Sequence, residues 1–458
     1  VSKLNARPKS AADLTILCKV VDNFGDIGFV YRLAKNLVQL NPDREIRVAV
    51  DNLAAFNKIE SRVDPGLAEQ ELEVVCAESG QAQEGVACAE SESKPKTAAE
   101  TESVGKPKTA GRLRIFDATN AAACAREWTK KPARVILECF QCGRPDWLEA
   151  LLFDGVTAGG DCPQAQEARA LIINIDYLTA EDYAEEFHRL KSGTRSPLVR
   201  KVNFMPGFTA KTGGLILDAA AEEVCKTLTA GAGATGNESK AKTAGPQILM
   251  FSYPKDFAPI IRAIQRWNKD ARINLAQGAG KESFLAANEK YAQNVSKPKT
   301  AGALEINQLP FLPQEDWDKN LYAQDILFVR GEDSLSRACL SGKPFVWQAY
   351  LQDDNYQLVK VRALLERMRP HFAPDDFAAL ENFWLLYNGA ESADDNCGQD
   401  QKGGGAMEAA CYEFLERSDK MKAGFEVFAR SLFELGNFAE RLDEFVGGVG
   451  ELGDYKFI

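Results

Sequence analysis

Short apolar runs alternate with amphipathic ones along most of the chain. LTILCKVV (14–21) reads as a buried strand. Across 29–40 the apolar residues Val30, Leu33, Ala34, Leu37 and Val38 recur at helical spacing. EIRVAVD (45–51), RLRIFD (112–117), ARVILECF (133–140) and ALIINIDYL (170–178) follow as strands. TAEDYAEEFHRL (179–190) reads as a helix capped by Thr179, with Asp182 at the capping-box position. After Pro197 the pattern restarts. QILMFSYP (247–254) and ARINLAQG (271–278) are strands around a helix in DFAPIIRAIQRWNKD (256–270). Then come a helix at 316–323, a strand at 325–329, the loop RGEDS (330–334), a helix from Ser334 to 340, the turn SGKP and a strand at 345–350. The remainder is helical: 356–368, 375–386, 408–417 and 421–445. Strands alternating with helices predict an α/β fold with parallel sheets, here as two units followed by a helical segment.

A lysine-rich motif interrupts this pattern. SKPKTA occurs at 93–98 and 296–301, GKPKTA at 105–110 and SKAKTA at 239–244. The spacing is irregular, so the copies do not mark a solenoid. They sit in small, polar surroundings and read as insertions in surface loops. The stretches 77–111, 231–245 and 389–405 are the expected flexible insertions.

Composition narrows the function. Of 458 residues 45% are hydrophobic and 26% charged, and the net charge is −11. An acidic chain is a poor general nucleic-acid binder. No apolar run reaches the roughly 18–20 residues of a membrane span, and the first residues lack the apolar core of a secretion signal. A cytoplasmic protein that binds neither nucleic acid nor membrane is expected. The eleven cysteines are scattered and His188 and His371 are the two histidines. Cys139 and Cys142 form an isolated close pair, so no metal site is expected. The thiols read as reduced and structural.

Three motifs carry candidate chemistry. In RGEDS, Arg330 offers forked donors and Ser334 a helix N-terminus, which together suit a diphosphate. Glu332 and Asp333 suit sugar hydroxyls or a cationic acceptor. A capped helix with a surface ion pair is the equal alternative. In FLPQEDW (311–317), Phe311 and Trp317 can sandwich a base while the Gln314 amide reads its edge. Two aromatics that merely fill a core remain the other reading. In DNFGDIG (22–28), Asp22 and Asp26 sit four residues apart in what reads as a glycine-bearing loop. Carboxylates there point away from phosphate and toward a cation.

Six stretches, VVDNFGDIG, LIINIDYLTAEDY, FMPGFTAKTGGL, FLPQEDWD, LFVRGEDSLSRA and GKPFVWQAY, occur in that order. Together they resemble the EarP family, the bacterial arginine rhamnosyltransferases that mature elongation factor P. The resemblance implies the GT-B glycosyltransferase fold, in which two Rossmann-like domains face each other across a cleft. The acceptor side would be 12–197, the nucleotide-sugar side 198–437, and a C-terminal helix (about 438–458) would pack back on the first. The implied reaction moves L-rhamnose from dTDP-β-L-rhamnose to an arginine of elongation factor P with inversion, without cofactor or metal. Carried over residue by residue, the resemblance gives Phe311, Gln314, Trp317 and Phe204 to the thymine. Arg330, Asp333 and Ser334 go to the diphosphate and its surroundings. Gly25 and Gly28 join the donor-binding set. Glu332, Asp22 and Asp26 are the catalytic residues, with Asp26 the better candidate of the two aspartates for the base. Trp317 stands where the family has phenylalanine or tyrosine, Leu335 where phenylalanine is usual, and VNFM precedes PGF where the family is richer in aromatics. The alternatives are another donor or acceptor on the same architecture, or an inactive nucleotide-sugar-binding protein.

Overall fold

The computed structural model describes residues 14–21, 24–75, 110–154, 170–230, 245–267, 269–294, 304–390 and 403–451. Asp22, most of the three expected insertions and nearly all of the SKPKTA-type copies lie outside the described residues.

Two sheets organise the chain. The first is built from β1 (Leu14–Cys18), α1 (Gly25–Leu40), β2 (Ile46–Val50), α2 (Leu53–Ile59), β3 (Glu69–Val75), β4 (Ala110–Asp117), α3 (Ala121–Lys130), β5 (Val135–Cys139), α4 (Asp146–Phe153), β6 (Ala170–Ile175), α5 (Tyr183–Phe187), β7 (Lys191–Ser192) and β8 (Val199–Asn203). Its strand order is β3-β4-β2-β1-β5-β6-β8-β7. The central strands are parallel, and β1, β2 and β5 are buried along their whole length. Continuous apolar runs are what a sheet covered on both faces requires. The edge strands β3 and β7 are antiparallel, so the sheet is mixed where a parallel one was expected.

The second unit contains α6 (Ala219–Ala230), β9 (Gln247–Met250), α7 (Ala258–Trp267), β10 (Arg272–Leu275), α8 (Lys281–Asn294), β11 (Glu305–Gln308), α9 (Gln314–Ala323), β12 (Ile326–Arg330), α10 (Glu332–Leu340) and β13 (Phe345–Gln348). Its five strands are parallel in the order β11-β10-β9-β12-β13. The helical end comprises α11 (Tyr356–Met368), α12 (Pro374–Tyr387), α13 (Gly403–Glu434) and α14 (Phe438–Glu451). Phe414, Leu415, Met421 and Phe425 of α13 pack into the core of the second sheet. Phe438, Ala439, Leu442 and Val446 of α14 join the core of the first, with Leu14, Ile16 and Val30. The chain therefore crosses back between the two cores after Glu434.

Several local expectations are corrected. α1 begins at Gly25, so Asp26 lies in a helical first turn rather than a loop; a carboxylate is favoured there by the helix dipole. α10 begins at Glu332, because Gly331 makes the turn at φ 68° and ends the loop two residues early. Ser334 is thus inside the first turn and is not the cap. Thr179 does not cap a helix: its hydroxyl donates to Glu181 at 2.8 Å, and α5 starts only at Tyr183. The helices expected at 408–417 and 421–445 run together through Ser418 and break instead between Glu434 and Phe438, where Gly436 has φ 83°.

Candidate active site

The carboxyl ends of both sheets open into one cleft of about 340 Å³. The first unit contributes Phe24, Gly25, Gly28 and Ile59 to its wall, and the second contributes Phe311, Gln314, Trp317, Arg330, Glu332, Asp333 and Ser334. Residues of DNFGDIG therefore meet FLPQEDW and RGEDS, two motifs far along the chain. Ligands in open α/β sheets lie at this end of the strands, beside helix N-termini.

On the second unit's side the sequence places rings and a cation together. Trp317 meets Phe251 edge-on at 4.8 Å, and Phe311 meets Phe24 of the opposite unit at 4.7 Å. The Arg330 guanidinium, at the end of β12, lies over the rings of Phe251 at 4.7 Å and Tyr253 at 4.4 Å. Among the described residues no carboxylate pairs with it, and its Nε is buried without a hydrogen-bond partner. Stacking on two π faces holds a cation in place while leaving its N–H groups available. Gly278, in the loop after β10, has φ 150° and comes close to Arg330; a Cβ there would lie 3.3 Å from Nη2. Neither that glycine loop nor Phe251 and Tyr253 was singled out in the sequence. The glycines of AQGAG, directly after a strand, were the available signal.

Gln314 opens α9 and is buried. Its Nε2 donates to the Gly28 carbonyl of the opposite unit at 2.7 Å, and its Oε1 has no partner. A buried acceptor left open in a cleft is a place for a ligand N–H.

The carboxylates have distinct surroundings. Asp26 is 2% exposed and accepts the Val21 N–H at 2.7 Å. Its neighbour Gly25 lines the cleft. Glu332 lines the cleft, and its Oε2 accepts the Leu178 N–H from the first unit at 3.2 Å. Burial pushes Glu332 up to about 8; Lys360 and the Leu178 amide oppose this, while Asp26 and Asp176 add to it. A buried carboxyl that a second carboxylate raises further suits a cation.

Asp333 is engaged otherwise. Both of its oxygens are forked by Arg32 of α1, at 2.9 Å each. Burial raises this carboxyl, but Arg32 and then Arg337 outweigh it and hold it below the ordinary range. Arg32 was missed in the sequence, where it reads as a polar position on an amphipathic helix.

Phe204 corrects one expectation. It is fully buried in the first unit, against His188 at 4.6 Å and Phe438 at 5.3 Å, and does not line the cleft. Phe438 and Phe445 of α14 pack against its ring. Burial also lowers His188, to about 4. Its Nδ1 accepts the Met205 N–H at 3.1 Å.

Among the described residues no cluster of His, Cys, Asp and Glu could hold a metal ion, and no helix is long and apolar enough to cross a membrane.

Comparison with known proteins agrees with this geometry. A family model described as "Elongation-Factor P (EF-P) rhamnosyltransferase EarP" matches residues 14–97 and 106–447. A protein-arginine rhamnosyltransferase of Shewanella oneidensis is 30% identical over 386 residues, 80% of this chain and 83% of that protein. One from Pseudomonas putida is 29% identical over 395 residues, 81% and 86% of the two chains. One from Neisseria meningitidis is 24% identical and covers 94% of this chain and 96% of its own. A solved structure described as the basis for EarP-mediated arginine glycosylation of elongation factor EF-P superposes with a TM-score of 0.51. It is 18% identical and covers 96% of this chain and 100% of its own, so the fold is shared: two Rossmann-like units of the GT-B type.

Proposed function

The chain belongs to the EarP family of elongation factor P rhamnosyltransferases, and from that premise we propose how its cleft performs the transfer. It is an inverting glycosyltransferase that moves L-rhamnose from dTDP-β-L-rhamnose to an arginine side chain of elongation factor P. The observation that carries the reading is the cleft itself, with an open donor on Arg330, an open acceptor on Gln314 and the Glu332 carboxyl in one wall.

On this reading the thymine lies between Phe311 and Trp317. The open Oε1 of Gln314 accepts its ring N–H. Arg330 and the first-turn amides of α10 hold the diphosphate, with the Ser334 hydroxyl beside them. Protein groups supply this positive charge, so the proposal needs no metal. Cytoplasmic location follows from the acceptor, a translation factor.

The acceptor is a guanidinium, a poor nucleophile because its lone pairs are delocalised and it is protonated near neutral pH. Its arrival beside Glu332 and Asp26 favours ionisation of Glu332, which then orients the planar fork. One guanidinium nitrogen attacks the anomeric carbon from the face opposite the diphosphate. The carbon–nitrogen bond forms as the carbon–oxygen bond to dTDP breaks. The nitrogen becomes acidic during attack, and its proton passes to a carboxylate, Asp26 in this proposal. The leaving diphosphate takes the bond pair and is stabilised by Arg330 and the helix N-terminus. Asp22, in the same motif, is assigned to orienting the acceptor.

The test is to incubate the protein with dTDP-rhamnose and elongation factor P and follow the acceptor by mass spectrometry. A deoxyhexose gain on one arginine is expected. No gain, or a gain on another residue, overturns the reading.

A further inference from the structure

α1 has a second buried face besides the apolar one that covers its sheet. Along it, Phe24 meets Phe311, Gly28 receives the Gln314 amide, Arg32 meets Asp318 and Lys35 reaches Glu315 at 3.4 Å. The two units are joined along this seam, and Arg32 is its centre. The residue is 1% exposed. Each of the five guanidinium N–H groups has an acceptor. Nε and Nη2 fork Asp333, Nη1 and Nη2 fork Asp318 at 2.6 and 3.0 Å, and Nη1 also reaches Asp218. Arg337 completes the cluster through Asp218 at 3.2 Å.

Asp333 has a particular place in this cluster. It lies between Glu332 and Ser334 in the first turn of α10, the turn that faces the cleft. Left unpaired, its carboxylate would stand one residue from groups that must receive a dianionic ligand. We propose that Arg32 is a positioning residue for the transfer reaction: by forking Asp333 it draws that carboxylate against α1 and offsets its charge. The α10 turn then meets the donor's diphosphate with amides and the Ser334 hydroxyl. A lysine would keep the charge but not the fork. The inference rests on the reading of the cleft as a donor site.

Calorimetry with dTDP tests it, with circular dichroism and a melting curve for each variant. Arg32→Gln is expected to weaken dTDP binding at least tenfold and to weaken uncharged thymidine less. Adding Asp333→Asn to Arg32→Gln is expected to restore most of the lost dTDP affinity, although it removes a further polar group from the interface. A merely structural role predicts the reverse, a double variant no better than the single one, and that result overturns the inference. Should Arg32→Gln not fold, Arg32→Lys carries the same test, and Asp333→Asn must restore the affinity that Arg32→Lys loses. Wild-type protein that fails to bind dTDP would sink the donor-site reading instead, so the two failures are distinguishable.

Discussion

Arg32 is buried in the seam between the units and Arg330 lies on the cleft wall, and their surroundings differ in kind. Arg32 is enclosed by three carboxylates and every N–H it owns is engaged. Arg330 is stacked between two rings, with no carboxylate partner among the described residues and a buried Nε left open. A buried charge that is fully paired holds structure together, whereas removing one partner leaves the others costly. A charge held by π faces, with donors to spare, is ready for an anion that comes from outside. The seam around Arg32 therefore reads as the joint between the units, and the wall around Arg330 as the part that meets the donor.

Variants can break or sharpen this contrast. The largest effect is expected at the acceptor side: Asp26→Asn should lower turnover by about 10²–10⁴-fold, the usual worth of a positioned base. dTDP binding measured by calorimetry should persist. Near-normal turnover would remove Asp26 from the mechanism. Arg330→Ala should weaken dTDP binding by about 1.5–3 kcal/mol, the scale of a charged hydrogen bond, or roughly 10- to 150-fold. Unchanged affinity would show that the stacked guanidinium is structural after all and erase the contrast with Arg32.

Glu332 joins function to stability. Its carboxyl is raised to about 8 in the folded protein, above its ordinary value near 4.5. Below pH 4.5 both folded and unfolded forms are protonated and nothing is lost. Between 4.5 and 8 the unfolded chain gains an ionised carboxylate that the empty fold resists, so stability falls as pH rises through that window. Glu332→Gln should therefore melt higher than wild type at pH 8, with the gap closing by pH 5, while transfer is lost. A gap that does not change with pH would mean that Glu332 is not held protonated. The smallest effect is expected at Phe204. Phe204→Leu should cost about 1 kcal/mol of stability through imperfect repacking and leave dTDP affinity within experimental scatter. A clear loss of dTDP affinity would return Phe204 to the donor site.

The cleft-lining residues that the sequence singled out share a property. Phe311, Gln314, Trp317, Arg330 and Glu332 lie in compact motifs beside predicted strand ends, where chemistry and local structure coincide. Arg32 and Gly278 were not legible. Each matters because of a partner from a distant part of the chain: Arg32 through Asp218, Asp318 and Asp333, and Gly278 through Arg330. Phe204 was misplaced for the related reason that α14, more than two hundred residues later, returns to cover it.

By itself the sequence determined the local alternation of buried strands and amphipathic helices, because side-chain periodicity is a short-range property. It also determined the identity of the motifs at the strand ends and the acidic balance of the chain. Only the tertiary structure decided which of those motifs face each other and where helices α1 and α10 begin. It alone showed that Glu332 is buried in a setting that raises its carboxyl while Asp333 is paired with Arg32. Those outcomes depend on burial and on charges brought together from opposite units, and electrostatic energies in a buried cleft are set by distance in space rather than by separation along the chain.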